Sequence, residues 1–168
     1  IISQQTGSIT LKDVYVENNT AMHGGGVYVD KTRAIFSGTV FLLNNHANNE
    51  GGGIAWNDAA NDQILTNLVI ADNTAQYRGA GIVIHNNSFY IKNSTIVNNK
   101  AVGPAGGLFL SHNAKVKVNN SIFWGNSPHQ IWFDDNTGND PSELSVTYSD
   151  VQGGKSAIPT NEKGTISW

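Results

Sequence analysis

Residues 79–84 read Gly79-Ala80-Gly81-Ile82-Val83-Ile84, and the same phrase of small residues running into an apolar triplet occurs three more times. It stands as Gly24-Gly25-Gly26-Val27-Tyr28-Val29, Gly51-Gly52-Gly53-Ile54-Ala55-Trp56 and Ala105-Gly106-Gly107-Leu108-Phe109-Leu110. The first apolar residue steps from 27 to 54, 82 and 108, intervals of 27, 28 and 26, and Ile131-Trp132-Phe133 continues the series 23 residues later. A second marker keeps the beat: Asn19 with Ala21, Asn45 with Ala47, Asn73 with Ala75, Asn99 with Ala101, then Asn126 with Pro128. Two markers sharing one period identify a solenoid.

Each period holds three short segments of alternating Val, Ile and aromatic residues, too short for helices. In the fourth period they are Phe89 to Ile91, Thr95 to Val97 and Leu108 to Leu110. Three strands rising ~3.3 Å per residue, with three turns, use up about 27 residues in one triangular coil. The expected fold is therefore all-β, a right-handed parallel β-helix of about six coils with three short strands per coil. Coils stacked ~4.8 Å apart give a rod ~29 Å long in which equivalent side chains form columns.

The columns account for the residue types. Val16, Leu42, Ile70, Ile96 and Phe123 form one inward column; Val27, Ile54, Ile82, Leu108 and Ile131 form another, with Val29, Trp56, Ile84, Leu110 and Phe133 two residues on. Ala21, Ala47, Ala75 and Ala101 mark a corner where only a small side chain fits. The landmark Asn is expected at a sharp turn, where Asn tolerates left-handed backbone, and stacked amides can bond from coil to coil. The glycines serve a corner that needs positive φ or close backbone approach.

Composition narrows the function classes. Charged residues make up 14% of the 168, the formal charge is -3, and no run of Lys or Arg gives a footprint for a nucleic acid backbone. With no Cys there is no disulfide, zinc-thiolate site or thiol chemistry. No apolar run reaches the ~20 residues of a membrane span. The chain starts at Ile1 in mid-pattern, so residues 1–168 are expected to be a single β-helix domain excised from a longer protein, with parallel sheet edges exposed at both ends.

Asn-x-Ala followed by Gly-Gly-Gly-apolar is similar to the repeats of right-handed β-helix surface proteins, among them the chlamydial polymorphic outer membrane proteins and large secreted proteins of environmental bacteria. Asn120-Ser121-Ile122-Phe123-Trp124-Gly125-Asn126 and Tyr148-Ser149-Asp150-Val151-Gln152-Gly153-Gly154 resemble the closing coils of the latter. The resemblance implies an extracellular or cell-surface location and adhesive, passenger or carbohydrate-linked roles. The same solenoid also carries polysaccharide lyases and glycosidases, but no such motif is matched here residue by residue.

Three places invite chemistry. The polar pairs after each glycine-linked strand form a ridge in which Asp58, His85, His112 and Asp135 stand within one or two coils of each other, as an acid–base or metal site would require. Asp134, Asp135, Asp140 and Glu143 form an acidic cluster; no cofactor is expected unless it is a calcium ion there, although the spacing matches no calcium loop. The middle residues of the glycine-linked strands, Tyr28, Ala55, Val83, Phe109 and Trp132, point outward, and the aromatics Tyr28, Phe109 and Trp132 are the expected binding residues. The expected function is a secreted or surface-displayed scaffold or adhesive stalk that binds carbohydrate, another surface or flanking domains of its own protein. The alternative is a carbohydrate-active enzyme, a lyase or glycosidase of the β-helix type.

Overall fold

The computed structural model describes residues 1–4, 7–58, 62–134, 141–160 and 164–168. It is a β-helix of parallel strands in four stacked sheets. The glycine-led sheet has six strands: Ile2–Gln4, Val27–Asp30, Ile54–Asn57, Ile82–His85, Leu108–Ser111 and Ile131–Phe133. A five-stranded sheet follows it in each coil, made of Gln63–Thr66, Ser88–Lys92, Lys115–Asn119, Glu143–Thr147 and Thr165–Ser167. The third sheet, again six-stranded, contains Ser8–Glu17, Arg33–Leu43, Leu68–Ala71, Thr95–Val97, Ile122–Trp124 and Asp150–Val151.

To these three faces the Asn corner adds a fourth, short sheet of Thr20–His23, His46–Glu50, Thr74–Ala75 and Lys100–Ala101. Sequence periodicity did not show it, because its strands are only two to five residues long and carry no apolar alternation to detect. The pairing follows the repeat, with Ile82 opposite Ile54 and Leu108, and Ile96 opposite Ile70 and Phe123. The inward columns merge into one continuous core that runs from Leu11 to Ile158. Ala47, Ala75 and Ala101 pack with Ala80 in a separate small cluster under the corner.

The landmark asparagines do their work one position away from where the turn falls. The left-handed residues are Asn18, Asn44, Asp72 and Asn98, with Gly125 in the same place, each just before a landmark Asn. This corrects the expectation that the landmark itself takes the strained backbone. Asn45, Asn73 and Asn99 are instead buried and form the amide ladder. Asn73 Nδ2 donates to Asn99 Oδ1 at 2.9 Å and to the Leu42 carbonyl at 2.9 Å, while its Oδ1 accepts from the Asn45 backbone N–H at 2.9 Å. The ladder ends where Gln130 Oε1 accepts from Asn126 Nδ2 at 2.7 Å, taking the place of a further Asn. Buried amides are tolerated because their donors and acceptors are paired.

Glycine is required where the next corner crosses this ladder. A Cβ on Gly81 would stand 2.6 Å from the Gly107 carbonyl and 3.2 Å from Asn99 Nδ2. Gly79, two residues earlier, has φ 58°. Both expected reasons for the glycines therefore operate two positions apart.

Ser8–Glu17 is the first strand of its sheet and Thr165–Ser167 the last of its own, so both ends present sheet edges. The C-terminal end is partly covered from within: the 3-10 turn Lys155–Ala157 places Ile158 in the core, and Phe133 N–H donates to the Pro159 carbonyl at 3.3 Å. Among the described residues no amphipathic helix closes either end, and no helix is long and apolar enough to cross a membrane.

Candidate functional site

On the glycine-led sheet alternate residues face outward. Two outward rows result, Tyr28-Ala55-Val83-Phe109-Trp132 and Asp30-Asn57-His85-Ser111, the latter continued by Asp134 just past its strand. The first row was expected to be exposed. Phe109 is in fact 1% exposed, and Val83 and Ala55 are buried with it. Phe109 packs with Val83 and Ala105 under the Arg78 guanidinium, whose carbon lies 4.6 Å from the ring centroid. The long turn before the strand covers the row, so Phe109 offers no platform to a ligand. Tyr28 and Trp132 are half-buried, Tyr28 beside His23 at 5.9 Å and Trp132 beside His129 at 4.6 Å.

Arg78 belongs to a polar network that spans five coils. Glu50 Oε2 accepts from Arg78 Nε at 2.7 Å, and Glu50 Oε1 lies 3.2 Å from His85 Nε2 and 3.4 Å from His23 Nδ1. Arg78 Nη1 reaches Asp134 Oδ2 at 3.6 Å. Burial alone would raise the Glu50 carboxyl, but hydrogen bonds from His85 and Arg78, with their charges, hold it down at about 2. Tyr28 is pushed the other way, upward, by burial and by the carboxylates of Asp30 and Glu50.

An ionised Glu50 anchors a chain of polar groups behind it. His85 Nε2–H donates to the carboxylate, and His85 Nδ1 pairs with the Ser111 hydroxyl at 2.5 Å. Ser111 Oγ also stands 2.8 Å from His112 Nδ1. Ser111, His85 and Glu50 stand in the order of a nucleophile, base and orienting acid. Ser111 is 1% exposed, however, and no substrate atom reaches its oxygen.

The ridge residues thus meet in part. His85 and His112 approach to 5.5 Å between ring centroids, and Asp58 lines the same cleft of about 310 Å³. His85, expected outside the packed interior, is 8% exposed. Asp58 and His112 occupy left-handed turn positions, φ 45° and 55°, which explains their place at the corner. Glu50 and Arg78, the groups that organise the cleft, escaped the sequence reading because they lie on the approach to the glycines, outside the aligned ridge.

Of the acidic cluster, Asp135 and Asp140 fall outside the described residues, as does the Asp135 contribution to the ridge. Asp134 faces Arg78, and Glu143 faces Lys115 at 3.3 Å on another sheet. Among the described residues no three His, Cys, Asp or Glu come together to hold a metal ion.

A cavity of about 610 Å³ lies along the five-stranded sheet. Tyr90 lines it, with Lys117 Nζ 5.1 Å from its ring centroid and Lys92 Nζ at the same distance. Lys117 Nζ also donates to the Tyr90 hydroxyl at 3.3 Å. Lys115, Glu143, Ser145 and Thr165 continue the lining. Of these residues only Glu143 stood out in the sequence, as part of the acidic cluster; no motif marks the others.

A rod of parallel coils with an internal amide ladder defines the class of β-solenoids. The chain belongs to the right-handed β-helix family, whose model, described as a right handed beta helix region, matches residues 1–146. No curated protein and no solved structure gives a match.

Proposed function

We propose that this β-helix is a secreted or surface-displayed scaffold module that binds polysaccharide along the outer face of its five-stranded sheet. The observation that carries the reading is the groove at Tyr90. Tyr90 lines a cavity of about 610 Å³ together with Lys115 and Lys117, and Lys92 Nζ stands 5.1 Å from the same ring, so apolar surface and positive charge meet at one site. Sugar rings present C–H faces to aromatic side chains, and carboxylated sugars add a partner for Lys92 and Lys117. The regular rise of the coils sets such contacts in a line, as a linear polymer needs.

The cleft at Glu50 does not favour the enzyme reading, because the hydroxyl in the nucleophile position is sealed and the carboxylate is committed to Arg78. Binding of polygalacturonate, measured by calorimetry against a neutral polysaccharide, tests the proposal. Tyr90→Ala should weaken it about tenfold, the loss of ~1.4 kcal/mol, with unchanged thermal stability. Equal affinity in the variant, or turnover of the polymer by the parent chain, overturns it.

A further inference from the structure

The chain turns from the five-stranded sheet into the third at Asn67, Asn93, Asn120 and Tyr148, equivalent positions because Val69, Thr95, Ile122 and Asp150, two residues on, pair in one register. All four residues take left-handed backbone, with φ 55°, 49°, 48° and 49°. Asparagine suits that region, whereas a bulky aromatic residue is strained in it. Packing does not offset the strain at Tyr148, which is 89% exposed. A strained and exposed ring, where its three counterparts are amides, points to a use for the ring.

Tyr148 lines a cleft of about 360 Å³, within the range of small-molecule sites, that shares no lining residue with the Tyr90 groove. Tyr148 and the exposed Ile122 give it apolar surface, and Thr95, Asn93 and Asn120 give it hydrogen-bonding groups. Asn120 Nδ2 donates to Asn93 Oδ1 at 2.8 Å, which leaves Asn93 Nδ2 to donate and Asn120 Oδ1 to accept. Asp150, itself exposed, is the one charged residue of the lining, and among the described residues no cation pairs with its carboxylate.

We infer that this corner cleft binds a sugar that carries a protonated amine, a glucosamine unit, independently of the reading given to the Tyr90 groove. The C–H face of the pyranose covers the Tyr148 ring and Ile122, the ammonium group pairs with Asp150, and the hydroxyls meet Thr95 and the two amides. An N-acetylated sugar keeps the ring and the hydroxyls but offers Asp150 no cation. A uronate would bring a second carboxylate beside Asp150 with no cation in the lining, opposite to its situation beside Lys92 and Lys117. The two clefts therefore select sugars of opposite charge.

Calorimetry on the whole chain, in mildly acidic buffer that protonates the sugar amine, with a glucosamine tetrasaccharide and its fully N-acetylated form, is the test. The glucosamine oligomer should bind about tenfold more tightly than the N-acetylated one. Tyr148→Asn installs the residue of the other three corners, and should weaken binding about tenfold while the melting temperature holds or rises. Asp150→Asn removes the charge but not the shape, and should bring the two oligomers to equal affinity. Asp72→Asn removes an exposed carboxylate at another left-handed corner, outside the cleft, and should leave binding unchanged, which separates the site from the net charge of the chain. No binding of the glucosamine oligomer, equal affinity for its N-acetylated form in the parent chain, undiminished binding in Tyr148→Asn or Asp150→Asn, or as large a loss in Asp72→Asn would overturn the inference.

Discussion

Glu50→Gln removes one negative charge and almost no volume, at the point where three coils are tied by one carboxylate. The folded-state value of about 2, against an ordinary 4.5, measures how strongly the fold prefers the ionised form. At about 1.4 kcal/mol per pH unit the preference is worth on the order of 3 kcal/mol. Because the folded value is depressed, this stabilisation is complete above pH 4.5 and is lost as pH falls towards about 2. Glutamine lacks the charge at every pH and leaves the guanidinium of Arg78 with Asp134, at 3.6 Å, as its carboxylate partner among the described residues. Urea unfolding followed by tryptophan fluorescence should show the variant about 3 kcal/mol less stable at neutral pH. The gap should narrow progressively in acid, since protonation gives the parent the same neutral side chain. A gap that is absent at neutral pH, or that stays constant down to about pH 2, would refute the account.

The amide ladder predicts a gradient along the rod. Asn99→Ala strands the Asn73 N–H and the Ile70 carbonyl in the interior and should cost at least about 2 kcal/mol in urea unfolding, while Asn19→Ala, at the exposed start of the ladder, should cost under about 1 kcal/mol. Phe109→Ala should lower stability by roughly 3 kcal/mol, as loss of a buried ring does, and leave polygalacturonate affinity unchanged in calorimetry, because the ring lies beneath Arg78.

The repeat was legible because a solenoid writes its structure into the sequence at a fixed interval. Every coil places its Asn, its glycines and its inward Val or Ile in the same environment, so the columns Val16 to Phe123 and Val27 to Ile131 followed from counting, and the structure pairs them in that register. Detail within the repeat was harder to read. The left-handed turn falls on Asn44, Asp72 and Asn98, each next to the landmark, and adjacent polar residues cannot be told apart by period alone.

Sequence by itself determined the β-helix, its core columns and its amide ladder, since these depend on contacts between equivalent residues about 27 apart. Only the tertiary structure decided which outward residues are surface. Phe109 and Tyr90 both occupy outward strand positions, yet one is sealed beneath Arg78 and the other lines an open groove. The difference lies in the turns that precede or follow the strands, whose course over the outer faces has no periodicity. For the same reason Glu50, His85 and Arg78, carried by different coils, meet at one carboxylate. Such a meeting depends on what the neighbouring coils place around it, and no single repeat encodes it.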